Sequence, residues 1–398
     1  MGRWRRGAVV AVAAATTSLL ATGCSNGLLS NGDTKTDGGS GSTAAASSDP
    51  IVLGMVVPLS GSSAAIGPYM ENGAKLAADE INAKGGVLGR KIQVVAQDGA
   101  CDPKTAVAAA NKLVTQKIAV SIGGYCSGAT LPTLPVFNKA SIPMIIPAAN
   151  SDELVNQGLK NVFLINGTGT QQADAAFKYM QKVGATKVAL MNDNTSYSKN
   201  IADLTAERLK ASGGPDLTVN EAVTPGESDY SANVNDVLGG KPDFVYWTGY
   251  YQEGGLIIRQ LKQAGFKGNI MVADGSVDGK LVDIAGKDNA EGVLATMTQT
   301  PDTLEGASDW IANYKAKFNA DPGPYSTQSY DAVRVAAEAI GKAGSTDGDK
   351  VISALEGIDG FKIFSGPLKF TDKHTLSSGG FLILQVKDGK FVLKDSLQ

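Results

Sequence analysis

The residues best suited to hold a small charged molecule gather in one stretch, 121–130, which reads S-I-G-G-Y-C-S-G-A-T. Gly123 and Gly124 let backbone approach a ligand closely, and Ser127 adds a hydroxyl next to Cys126. An apolar run at 118–122 precedes them, and a helical pattern over 129–139 follows. A strand that ends in a glycine-rich turn and feeds a helix aims unpaired N–H groups at one point, and that point favours an anion. The bland alternative is a plain strand–helix turn that binds nothing.

Other apolar runs end in comparable groups. Ile51–Val57 is followed by P-L-S-G-S-S, and Met144–Ile146 by P-A-A-N ending at Asn150. The run 187–191 leads into N-D-N-T-S-Y ending at Tyr197, 243–247 into T-G-Y-Y at 248–251, and 269–273 into Asp274-Gly275. In open α/β sheets ligands bind outside the carboxyl ends of the strands. The first half of the chain therefore offers hydroxyls, small residues and amides, and the second half offers aromatics and one lone carboxylate. That division suits a zwitterion. Helix starts and hydroxyls hold a carboxylate, while Asp274 and a tyrosine face hold an ammonium. Taken singly, such an aspartate is as readily a helix cap and such an aromatic a core residue.

These loops need a scaffold, and the chain supplies one. Strand and helix patterns alternate from Pro50: helices over 68–83, 103–116, 198–211, 230–238 and 253–264 separate strands at 91–96, 144–146, 161–165, 187–191, 217–223, 243–247 and 269–273. Further helices are expected over 307–319, 326–343 and 350–356, with a hairpin at 380–392 turning at K-D-G-K. Two runs of such units make an α/β protein with two doubly wound parallel sheets.

The first residues have the parts of an export signal: Arg3, Arg5 and Arg6, then an apolar run over 8–20 that is too short to span a bilayer. L-A-T-G-C, ending at Cys24, resembles a lipobox, so segment 1–23 is expected to be removed and Cys24 to carry lipid. Ordinary cleavage that leaves Cys24 free is the alternative. Residues 24–49, rich in Gly, Ser, Thr and Asp, read as a flexible tether.

Cys101 and Cys126 remain. Exported proteins keep disulfides, so a Cys101–Cys126 bridge is expected, with two buried thiols as the alternative. The formal net charge is −3, and loss of the three leader arginines takes it to −6, which disfavours nucleic acid as a partner. The single histidine, His374, lies in a polar turn and excludes paired-histidine zinc motifs. No metal, no cofactor and no catalytic residue is expected: G-x-S-x-G, the Walker A lysine and CxxC are all missing.

The chain resembles the leucine/isoleucine/valine-binding proteins of ABC transporters, which have the type I periplasmic binding fold. The resemblance rests on P-L-S-G at 58–61, D-E-I-N-A-K-G-G-V-L-G at 79–89, C-D-P-K at 101–104, Y-C-S at 125–127, P-A-A-N at 147–150, T-G-Y at 248–250 and A-D-G at 273–275. It implies two lobes, 51–167 with 299–380 and 168–298 with 381–398, joined by a three-segment hinge near Gly167, Thr298 and Gly380. It also implies that Ser127 and the backbone at Ala149 and Asn150 hold a ligand carboxylate. The Ala148 carbonyl and Asp274 would hold the ammonium, Tyr197 and Tyr250 would close over it, and Tyr125 and Tyr325 would line the side-chain pocket. The family's disulfide would be Cys101–Cys126. Asn150 replaces a threonine usual in the family, Asp274 a frequent glutamate, and Ile66 a frequent aromatic.

The expectation is therefore a monomeric extracytoplasmic lipoprotein that captures a small amino acid by lobe closure and delivers it to an ABC permease. Its rivals are the same fold binding a short amide, urea or another amino acid, a sensory subunit, and an exported hydrolase using Ser127.

Overall fold

The structure, a computed structural model, describes residues 49–397. The segment 1–23, Cys24 and all but the last residue of the tether lie outside the described residues. The first sheet holds β1 (Ile51–Val57), β2 (Ile92–Asp98), β3 (Val120–Ser121), β4 (Met144–Ile146) and β5 (Val162–Leu164), all parallel in the order β2-β1-β3-β4-β5. The second sheet is built from β6 (Lys187–Asn192), β7 (Asp216–Ala222), β8 (Phe244–Trp247), β9 (Asn269–Val272) and β10 (Leu294–Met297). Later strands are a separate pair, β11 (Asp359–Ile363) and β12 (Gly366–Lys369), and a hairpin of β13 (Leu382–Lys387) and β14 (Lys390–Asp395). The second sheet runs β14-β13-β10-β9-β8-β6-β7. Strands such as β4, β5 and β8 are buried at every residue, as parallel strands covered by helices must be.

The chain leaves the first sheet after β5 and builds the second through β10. It then returns as the helix Ser326–Ala343, which packs along the helix Ile66–Ala83, before re-entering the second sheet at β13. Gly167, Thr298 and Gly380, one from each passage, line a common hollow.

Sequence and structure differ in several places. The second sheet is parallel only through β10, because β13 pairs antiparallel with it. The hairpin is shifted towards the C-terminus, and its Asp388-Gly389 turn has positive φ at both residues (54° and 80°), as a primed two-residue turn requires. The helix expected over 129–139 is broken into Ser127–Thr130, a 3-10 turn Leu131–Thr133 and Leu134–Lys139, since Pro132 and Pro135 supply no N–H. The helix Gly169–Lys182 and strand β10 were not expected at all. That helix opens on a capping box in which Gln171 N donates to Thr168 Oγ1 and Thr168 N to Gln171 Oε1.

A disulfide joins Cys101 and Cys126, whose Cα atoms are 5.4 Å apart. Ala100 and Cys101 both have positive φ, 49° and 52°, a conformation that non-glycine residues avoid. Asp102 then caps the helix Pro103–Thr115, accepting from Thr105 N at 2.8 Å. At the other end of the bridge, a Cβ on Gly123 would stand 2.5 Å from Val56 N, so only glycine fits where the loop leaves β3. The bridge thus fastens the 123–127 loop to the turn after β2. Closing a loop of 25 residues predicts that reduction, or the paired Cys101→Ser and Cys126→Ser change, lowers unfolding free energy by about 3–4 kcal/mol. Urea titration with and without reductant measures this, and coincident midpoints would contradict it.

Candidate ligand-binding site

Asp274 begins a 3-10 turn directly after β9 and is 2% exposed. Its Oδ1 accepts from Gln172 Nε2 at 2.8 Å and from the Tyr197 hydroxyl at 2.5 Å. Its Oδ2 accepts from the Tyr325 hydroxyl at 2.6 Å and, at the limit of a hydrogen bond, from Asn150 Nδ2 at 3.5 Å. All four donors are neutral. Among the described residues no Lys, Arg or His forms an ion pair with this carboxylate. Burial pushes the Asp274 carboxyl above the usual range, while the bonds from Tyr197, Tyr325 and Gln172 pull it back.

Two of those donors come from the first-sheet side. Tyr325 stands at the N-cap of the helix Ser326–Ala343 with φ at +63°, an uncommon conformation for so large a residue. Asn150 lies in the loop after β4 and is fully buried. The other two come from the second-sheet side. Tyr197 sits in the first turn of the helix Ser196–Ser212, whose cap Thr195 accepts from Ser198 N. The Tyr197 hydroxyl also accepts from Gly275 N at 2.7 Å.

Tyrosine rings form a chain over the carboxylate. Tyr325 and Tyr125 lie 5.6 Å apart, Tyr125 and Tyr250 5.8 Å, and Tyr250 and Tyr197 5.0 Å, by ring centroids. The Tyr125 hydroxyl donates to Gly275 O at 3.3 Å, a further bond between the two sheets' loops. Burial raises the hydroxyl pKa of all four tyrosines far above the ordinary value, so the hydroxyls stay protonated and neutral.

The groups expected to meet a carboxylate are engaged within the protein. Ser127 Oγ accepts from Asn150 N at 3.3 Å and Ser151 N at 3.2 Å. Ala149 N donates to Gly124 O at 3.0 Å. The Ala148 carbonyl, expected to face an ammonium, accepts from Asn166 Nδ2 at 2.7 Å and keeps one lone pair. The structure thus brings Asp274, Asn150, Tyr125, Tyr197, Tyr250 and Tyr325 into one cluster, with Ser127 and Ala149 bonded to the loops that carry it.

Two residues escaped sequence reasoning. Gln172, fully buried, donates to Asp274 Oδ1 and to Thr296 Oγ1 (2.9 Å), and accepts from Asn150 Nδ2 at 2.8 Å. It lies on the helix Gly169–Lys182, where the Thr168–Gln171 capping pattern was the available signal. Asp193 is a second buried carboxylate, so Asp274 is not alone in its half of the chain. Asp193 accepts from Thr195 N and Oγ1, and burial raises its pKa.

Comparisons with known proteins agree with this architecture. A family model described as periplasmic binding protein matches residues 50–390. A Leu/Ile/Val-binding protein of Rhizobium johnstonii is 37% identical over 86% of this chain and 93% of its own length. A leucine-, isoleucine-, valine-, threonine- and alanine-binding protein of Pseudomonas aeruginosa is 33% identical over 85% of this chain and 90% of its own. Among solved structures, a leucine-binding protein of Thermotoga maritima superposes with a TM-score of 0.80 at 28% identity, covering 86% of this chain and 97% of that one. A branched-chain amino acid transporter substrate-binding protein of Streptococcus pneumoniae, in complex with isoleucine, gives 0.79 at 28% identity, covering 87% and 100%. With a matched family model over most of its length and two parallel-sheet halves meeting at a buried aspartate, the chain belongs to the periplasmic binding protein family.

Proposed function

We propose that this protein captures a small α-amino acid with an apolar, branched side chain by closing two lobes, 51–167 with 299–380 and 168–298 with 381–398, and that an ABC permease receives the closed form. The observation that carries this reading is Asp274, a buried carboxylate reached from both lobes and bonded only by neutral donors. Such a group lacks a counter-ion and matches an ammonium. Ser127 already accepts two amides, which leaves its hydroxyl proton to donate to the ligand carboxylate. Tyr125, Tyr250 and Tyr325 supply ring faces for the side chain and cation–π attraction for the ammonium.

The lobes swing about Gly167, Thr298 and Gly380, and ligand bonds to both sides stabilise closure. Cys24 carries the lipid that holds the protein at the outer face of the membrane, where it works as a monomer. A hydrolase is disfavoured because the partners of Ser127 Oγ among the described residues are backbone amides, and no base among those residues meets it. His374 lies elsewhere, stacked on Phe163 and facing Val162 O.

Thermal-shift screening against amino acids, short amides and urea tests the ligand class. A shift with leucine, isoleucine or valine is expected, and a shift with urea alone would overturn it. In calorimetry, Asp274→Ala should weaken leucine binding by about 2–5 kcal/mol, as loss of a buried charge partner does. The pH response has a defined sign. The ligand ammonium stays charged across acid and neutral pH, so only the carboxyl titrates. Because burial raises the Asp274 pKa, leucine affinity should fall as pH drops, earlier than an ordinary aspartate would require. Tighter binding in acid would remove Asp274 from the ammonium site. For the anchor, Cys24→Ser should release the protein from the membrane fraction; retention there would argue against lipidation.

A further inference from the structure

Asn150 Nδ2 faces two acceptors, Gln172 Oε1 at 2.8 Å and Asp274 Oδ2 at 3.5 Å. Turning that amide over would set Asn150 Oδ1 against both oxygens, so its orientation is fixed. The orientation of Gln172 is fixed in turn. Its Nε2 donates to Asp274 Oδ1 and Thr296 Oγ1, and reversal would press its own oxygen against the carboxylate. A single charge thus orders the series: Asp274 orients Gln172, and Gln172 orients Asn150. The last atom in the series is left over. Asn150 Oδ1 is buried and has no donor among the described residues.

We infer that Gln172 is a positioning residue for ligand binding: it turns Asn150 so that Oδ1 offers an acceptor to a ligand N–H. This rests on the amino-acid reading above and deepens it. Asp274 Oδ1 already holds two donors and Oδ2 holds Tyr325, so the carboxylate has room for one further short bond. A primary ammonium has three N–H groups to place. Asn150 Oδ1 takes one of them and Asp274 Oδ2 another, and the Ala148 carbonyl, bonded so far only by Asn166 Nδ2, has a lone pair for the third. The site then selects a primary ammonium over an N-substituted one, because an N-methyl ammonium has two N–H groups for three buried acceptors and leaves one of them empty.

Calorimetry with L-leucine and N-methyl-L-leucine tests this. Wild type should prefer leucine by about tenfold or more, the value of a hydrogen bond to a charged group. Gln172→Leu, similar in volume but without polar atoms, should weaken both ligands and shrink the preference to under about threefold. Gln172→Glu keeps an acceptor for Asn150 Nδ2, so it should weaken both ligands yet retain the wild-type preference. A merely structural role for Gln172 would lower both affinities in every variant and leave the ratio unmoved. That result, or a wild-type ratio near one, overturns the inference. Should Gln172→Leu fail to fold by circular dichroism, Asn150→Ala replaces it, with the same collapse expected and an unchanged ratio again overturning the idea. A wild type that binds neither ligand overturns the amino-acid reading and this inference together, whereas binding without discrimination overturns this inference alone.

Discussion

A carboxylate withdrawn from water and met only by neutral donors governs this protein. Placing a charge in the interior costs several kcal/mol even after relaxation, unless hydrogen bonds and a counter-ion offset it. Asp274 has the hydrogen bonds, from Gln172, Tyr197, Tyr325 and weakly from Asn150, but no cationic partner among the described residues. Those bonds soften the cost without cancelling the charge, and the raised pKa records what is left. Everything near Asp274 can be understood as holding that partly satisfied charge in one place.

The holding is done by strand ends and helix starts, which are stiff. Asp274 follows β9, Asn150 follows β4, and Tyr197, Tyr250 and Tyr325 each stand at or beside a helix N-cap. Tyr325 adopts a left-handed conformation, which for a residue of this size costs on the order of 1 kcal/mol or more. Its hydroxyl bond to Asp274 and its ring contact with Tyr125 over-determine the position. The disulfide does similar work on the same first-sheet side, where Ala100 and Cys101 are also left-handed and the bridge ties them to Cys126, the neighbour of Tyr125 in sequence. Left-handed backbone thus recurs in loops that build the cluster, as it does in several turns elsewhere.

Much of this was legible because parallel sheets write themselves plainly. Their strands are short apolar runs, and the residue that follows each run marks the ligand face. Asp274, Asn150, Ser127, Tyr125, Tyr197 and Tyr250 were found in that way, whereas Tyr325 came only from the family resemblance. Gln172 was not, because it sits in the first turn of a helix and points from the side. The pattern Gly169-Thr170-Gln171-Gln172 resembles any polar helix start, and nothing local distinguishes the buried glutamine from the capping one. Strand β10, which carries Thr296, was hidden for another reason. It has four residues, two of them Ala and Thr, so its apolar run is weak despite Gly292 before it and Pro301 after it. The engagement of Ala149 N and Ser127 Oγ with their own neighbours was likewise out of reach, since sequence names donors but not where they point.

Neutral donors around Asp274 matter for how closure would couple to ligand on the proposed reading. A lysine or arginine in place of Gln172 or Tyr325 would neutralise the carboxylate permanently, and the lobes would then close with or without cargo. Hydrogen bonds from tyrosine, asparagine and glutamine orient the carboxylate but leave most of its charge to be met. A ligand ammonium meets it only where both lobes contribute, because Tyr325 and Asn150 come from one side and Asp274, Gln172 and Tyr197 from the other. On that reading closure and charge neutralisation would become one event, and a ligand would shift the balance only by its differential affinity for the closed form. An uncharged molecule of the same shape could fill the space and still leave Asp274 unpaired. On the proposed reading, discrimination would reside in the charge the protein declines to balance for itself.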